Sequence, residues 1–186
     1  MTKAEKMQRI GMSMEECMDW LLAVADEAMM ELDELDIPYS PCIKWKINTR
    51  AQRWGLCRRL YELQYEFEIE LNISLFADGA FDGLKNTIIH ELLHTCPDCM
   101  KHTGMWKKYA DMVNRMYGYN VKRTSSEEDK CAENINHTSR EDKIKYILRC
   151  KGCGNTWKYA RAGKFVKIYN RCHCGKCGGA LELITL

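Results

Sequence analysis

The sequence predicts an α+β fold, a domain of helices and strands followed by a small β module organised by cysteines. Three observations carry that expectation. Apolar residues recur at steps of three and four over residues 14–35 and again over 84–95, which lays one stripe of a helix against a core. They alternate with polar residues over 43–48 and 67–74, the period of half-buried strands. Near the end, two C-x-x-C pairs stand about twenty residues apart, the spacing of a structural metal site.

In the first helix Cys17, Leu21, Val24, Ala28, Leu32 and Leu35 form the stripe. Ser13 caps its start, and Glu16 completes a capping box. Pro38 and Pro41 end it. Ile43, Trp45 and Ile47 then alternate with Lys44, Lys46 and Asn48, and Phe67, Ile69, Leu71 and Ile73 with Glu68, Glu70, Asn72 and Ser74. Between them Arg53-Trp54-Gly55-Leu56-Cys57 reads as a turn or bulge, with a third strand over about 58–64. A helix follows Asp82-Gly83 and closes before Pro97; another runs over 104–117, with Trp106, Tyr109, Val113 and Met116 inward and Gly118 as its stop. Residues 121–143 are polar, charged and without period, so they read as a linker between a domain at 1–120 and a module at 144–186.

No apolar run approaches the ~20 residues of a membrane span, and the first residues lead into no signal-peptide core, so no membrane partner and a cytoplasmic location are expected. In that setting the eleven cysteines read as reduced thiols and metal ligands, with zinc as the default metal. Charge is uneven. Lys and Arg number 14 against 19 Asp and Glu over 1–120, and 14 against 7 over 121–186. A basic tail suits nucleic-acid phosphates or an acidic partner, although a solvated lysine-rich surface also accounts for such an excess.

His90-Glu91-Leu92-Leu93-His94 places two imidazoles one helical turn apart on one face, where both reach one ion. Glu91 lies beside that ion rather than on it, as a general base for water requires. The flanking residues are apolar, and two histidines and a glutamate on a buried helix are costly without a metal; a satisfied polar cluster is the bland alternative. His102 is the nearest third ligand, ahead of His137 in the linker and His173 in the module. Cys96 and Cys99 between them read as loop packing.

With His102 and Trp106 four residues later, this pattern resembles the core of the SprT-like metallopeptidase family, whose eukaryotic relatives include Spartan. Arg53-Trp54-Gly55-Leu56-Cys57 is similar to a motif shared with neighbouring minigluzincin-like families, and SprT-like proteins often carry a zinc ribbon. The family usually has glycine directly after the third histidine, whereas this chain has Thr103 and then Gly104. The resemblance covers about residues 10–186. It implies a minigluzincin-like domain holding a catalytic zinc on His90, His94 and His102, with protein as substrate, including protein bound to or crosslinked on DNA. Either the strand from Phe67 or the segment with Arg53 and Trp54 could be the sheet edge that takes extended substrate.

Cys150, Cys153, Cys174 and Cys177 fill a tetrahedral zinc completely, so that metal is expected to be structural; Cys172 and His173 are spare. Between the pairs, Trp157, Tyr159, Phe165, Ile168 and Tyr169 interleave with Lys158, Arg161, Lys164, Lys167 and Arg171. Such a pattern suits stacking on bases and contact with phosphates, and equally a tiny core with a solvated face. The expectation is thus a zinc metallopeptidase with Glu91 as base, one catalytic and one structural zinc, and a ribbon that reaches DNA. The alternatives are a non-catalytic zinc protein that binds nucleic acid and a hydrolase acting on other bonds.

Overall fold

The computed structural model describes residues 1–136 and 141–186, which fall into two compact units divided between Asn136 and His137. His137 and its three successors lie outside the described residues, so the rival ligand His137 and residues 137–140 of the expected linker are not placed. No helix among the described residues is long and apolar enough to cross a membrane.

The first unit opens with two capped helices, α1 (Lys3–Ile10) and α2 (Met14–Glu34). At α2 the Glu16 N–H donates to the Ser13 hydroxyl at 3.1 Å, and the Glu16 carboxylate accepts from the Ser13 N–H at 2.6 Å. Sequence reading missed α1, whose signal was the same box one helix earlier, Thr2-Lys3-Ala4-Glu5. The stripe of α2, Cys17, Leu21, Val24, Ala28 and Leu32, is fully buried. It packs against α3 (Phe81–Leu93), where Leu84, Ile88, Ile89 and Leu92 are wholly inaccessible. Each such side chain contributes roughly 1.5–3 kcal/mol by leaving water.

The sheet under these helices is mixed rather than antiparallel, in the order β1-β3-β2. From β1 (Ile43–Asn48) the chain steps over to β2 (Gly55–Arg59), and β3 (Phe67–Asn72) returns into the gap, antiparallel to β2 and parallel to β1. The third strand also begins earlier than expected, at Gly55, inside the segment read as a turn. As the central strand, β3 is buried on both faces rather than one. Its Glu68 is capped by Lys46 of β1 at 2.5 Å and by Arg58 of β2. Asn72 donates to the carbonyls of Ala51 and Arg53, each at 3.0 Å, and so holds the loop before β2.

The helix α4 (Met105–Tyr117) ends at Gly118 in the left-handed conformation. The expected linker does not then leave the domain. Residues 121–136 form a strap that meets α3 at Gly83 and at His90, and its Asn134 and Asn136 side chains find backbone partners instead of solvent. Asn134 donates to the Gln52 carbonyl at 2.5 Å, Asn136 to the Ala51 carbonyl at 3.0 Å, and the Ile135 N–H to the Ser74 hydroxyl at 3.0 Å. The Lys130 carbonyl passes so close to α3 that a Cβ on Gly83 would lie 2.1 Å from it.

The second unit is an antiparallel sheet, β5-β4-β6, of β4 (Tyr146–Cys150), β5 (Thr156–Tyr159) and β6 (Leu181–Thr185). Its buried apolar residues are Leu148, Cys150, Val166, Cys174 and Leu181, with Trp157 and Tyr169 partly buried against the cysteines, a core small enough to call for a staple.

Gly83→Ala separates the strap from ordinary helix behaviour. Propensity alone gains roughly 1 kcal/mol in a helix interior; the clash with Lys130 is expected to reverse the sign and cost about 1–3 kcal/mol in denaturant unfolding.

Candidate metal centres and the cleft beside α3

The carboxyl-terminal turn of α3 carries His90 and Glu91 inside the helix and His94 at its cap, still in right-handed conformation. The chain then turns at the Cys96–Cys99 loop, whose two cysteines are buried, brings back His102, and enters α4 through Gly104, whose φ of 57° and ψ of −122° suit glycine. The Nε2 atom of His102 lies 2.9 Å from that of His90 and 3.1 Å from that of His94. All three ligand atoms fall within 4.8 Å of one another, so this group could hold a metal ion.

The tautomers follow from the other nitrogens. His90 Nδ1 faces the Lys122 carbonyl at 3.0 Å and His94 Nδ1 the Cys99 carbonyl at 2.8 Å. A carbonyl only accepts, so each Nδ1 carries the proton and each Nε2 presents a bare lone pair. Burial, then the neighbouring His94 and His102, push His90 down to about 3, and burial also lowers His94. His102 is lowered by burial, then by His94 and Arg123. One proton on His102 can serve only one of two bare neighbours; a cation serves all three. Trp106, 2% exposed, closes the back, its ring stacked on His94 and edge-on to His90 and His102.

Glu91 is fixed by two features of β2. The Cys57 N–H hydrogen-bonds its carboxylate, and Gly55 leaves it room, since a Cβ there would lie 2.2 Å from Oε1. Burial pushes Glu91 up to about 8, against the opposing pull of Lys130, the Cys57 N–H and Arg53. A dication on the imidazoles would draw it back down. Lys130, 4% exposed, comes from the strap and is pushed down to about 8 by burial. The cleft they share encloses about 510 Å³, and its walls include Arg53, Trp54, Gly55, Glu91, Arg123 and Lys130. Arg53 and Trp54, expected from the sequence as possible substrate contacts, both line this cleft. The free edge beside them is β2, since β3 is the central strand. Lys130 and Arg123 were missed, having sat in a run that read as solvated. Gly55 was singled out only as a bend.

Cys96 and Cys99 are buried thiols, and burial pushes Cys96 up to about 12. They pack the loop, as expected, and the carbonyl of Cys99 orients His94 as well.

In the second unit Cys150, Cys153, Cys174 and Cys177 form another group that could hold a metal ion, with sulfurs 3.4 Å apart for Cys150 and Cys177 and 3.6 Å for Cys153 and Cys174. Gly154 and Gly178 follow the pairs with φ of 72° and 70°, left-handed turns that suit glycine. Cys172 and His173 stay outside this group. Trp157 and Tyr159 are half-buried on β5 while Lys158 is exposed, as are Arg161, Lys164 and Lys167. Trp157 packs against the small core of this unit and remains partly exposed.

The direction of the Glu91 shift sets a pH test on metal-free protein. A carboxyl raised from 4.5 to about 8 binds a proton more tightly folded than unfolded, so its ionisation costs stability as pH rises through that interval. Glu91→Gln is therefore expected to stabilise the metal-free chain at pH 8 and to do little at pH 4, read by urea unfolding at both. No known family model matches the chain, and no curated protein matches it.

Proposed function

We propose that the chain is a zinc-dependent metallopeptidase of the SprT-like, minigluzincin-like kind, with a zinc ribbon that contacts nucleic acid. The observation that carries the reading is the convergence of three imidazole Nε2 atoms, two with tautomers fixed by carbonyls, beside a buried carboxylate in an open cleft. Zinc bonds of about 2.0–2.1 Å to nitrogen set neighbouring ligand atoms about 3.3 Å apart in a tetrahedron, and about 2.3 Å to sulfur sets them about 3.8 Å apart. The separations of 2.9 and 3.1 Å, and of 3.4 and 3.6 Å, suit both groups after a small expansion. Three nitrogens leave a fourth position open, as catalysis requires; four thiolates leave none, as a structural role requires.

Zinc in the imidazole site would supply Lewis acidity toward a carbonyl and make water acidic near neutral pH. Glu91 then takes the proton of the attacking water and passes it to the departing amine. The Cys57 N–H aims its carboxylate and Gly55 admits it. An extended peptide adds to the free edge of β2, whose residues line the cleft, and this main-chain pairing favours polypeptide over other hydrolysable substrates. The exposed Lys158, Arg161, Lys164 and Lys167 support contact between the ribbon and DNA phosphates, which would bring DNA-bound or DNA-crosslinked protein to the cleft.

Wild type is expected to cleave an unstructured protein such as casein, with or without added DNA, and Glu91→Gln to lose about 10²–10⁴-fold in rate. Equal activity in the two would remove the peptidase assignment. Gly55→Ala, which displaces the Glu91 carboxylate, is expected to lower kcat on the order of 10²-fold while zinc content stays unchanged. Elemental analysis should find two zinc per chain, one lost in a His90→Ala, His94→Ala double variant and the other in Cys150→Ala. A nucleic-acid-binding protein without catalysis would show salt-sensitive binding and no turnover.

A further inference from the structure

The charges around the cleft are unbalanced, and the imbalance has a fixed position. Arg53, Arg123 and Lys130 line it, against Glu91 as the one carboxylate among the lining residues. One of the three cations, Arg53, is held in an ion pair, with Glu70. Lys130 is buried, and the charges that oppose its lowered pKa are Glu91 and Asp129. Lys122, the neighbour of Arg123, pairs with Asp129 at 2.6 Å. Arg123 itself has no ion pair among the described residues.

Its backbone is pinned from the start of the strap, because the preceding carbonyl, that of Lys122, accepts from His90 Nδ1 at 3.0 Å. Arg123 therefore begins one residue from a group that touches the imidazole cluster. Thr124 and Ser125 follow it along the same wall of the cleft. A guanidinium followed by two hydroxyls is a donor set for a carboxylate, which Arg grips with two parallel N–H bonds while a hydroxyl takes a remaining lone pair.

We propose that this wall is a subsite for an acidic side chain of the substrate, so that the cleft selects peptides with Asp or Glu beside the bond presented to His90, His94 and His102, and Arg123 is the selecting residue. The inference rests on the peptidase reading and names its substrate class. An acidic peptide accounts for the arrangement better than a nucleic acid strand. The cations converge inside one cleft next to a sheet edge that pairs with extended polypeptide, instead of following a stripe that would track phosphates.

The test uses the full-length zinc-loaded protein and three fluorogenic peptides that differ only in Glu, Gln or Lys next to a common scissile bond, with each of the flanking positions varied in turn. Cleavage is measured with wild type, and binding by fluorescence anisotropy with Glu91→Gln. At one position the Glu peptide is expected to bind and react roughly tenfold better than the Gln peptide, the worth of one charge-assisted contact. Arg123→Gln should abolish that ratio and Arg123→Glu invert it toward the Lys peptide, with zinc content confirming that both variants are folded. Cleavage of all three peptides at equal rates would overturn the acidic subsite and leave the peptidase reading intact. No cleavage of any peptide, with the Glu preference in binding kept and lost in Arg123→Glu, would overturn the peptidase reading and leave the subsite. Competition by a single-stranded oligonucleotide as effective as the Glu peptide would overturn it in favour of a general polyanion site.

Discussion

Two backbone carbonyls decide what the end of α3 can do. By accepting from Nδ1 of His90 and of His94, the oxygens of Lys122 and Cys99 leave both Nε2 lone pairs bare and aimed at one point. Without them either imidazole could turn or change tautomer, and the cluster with His102 would dissolve into ordinary hydrogen bonds. Both carbonyls belong to segments with little regular structure, the Cys96–Cys99 loop and the strap. The helix spaces the histidines, and irregular backbone aims their Nε2 atoms together.

The strap has a second role, which explains its buried polar residues. Its asparagines and Asn72 together hold the loop that leads into β2, and β2 in turn supplies the space at Gly55 and the N–H at Cys57 that position Glu91. The same segment thus orients one metal-site histidine and, through that loop, the carboxylate. It also adds two cations to the residues that line the cleft, Arg123 and Lys130. Such a network is stable only when nearly complete, since an orphaned buried carbonyl costs about 1–3 kcal/mol.

The helices were legible because their signals are local. Ser13 and Glu16 at one end of α2, or Gly118 at the end of α4, act within a turn of the chain, and α1 was missed only because its box was not read. The His90-Glu91 pattern and the cysteine pairs were legible for a related reason, as ligand spacing on a helix or knuckle is fixed by a few residues. The order of strands was not, because nothing in residues 43–48 or 55–59 says that β3 will come between them. The strap was hidden more deeply. A run such as Glu127-Glu128-Asp129-Lys130 has the composition of solvated chain, and only its last residue is buried, where the Lys130 carbonyl passes against Gly83 far upstream.

That distance along the chain has a kinetic meaning. Asn72 meets Asn134 and Asn136, and His90 meets Lys122, across loops whose closure must be met before the contacts reward it. The helices and the β2–β3 hairpin can form early from near neighbours. The ligand tautomers and the seat of Glu91 are completed only when residues 121–136 have been synthesised and have docked. A nascent chain would therefore hold a folded scaffold before residues 121–136 emerge, and the imidazole cluster with Glu91 would assemble last.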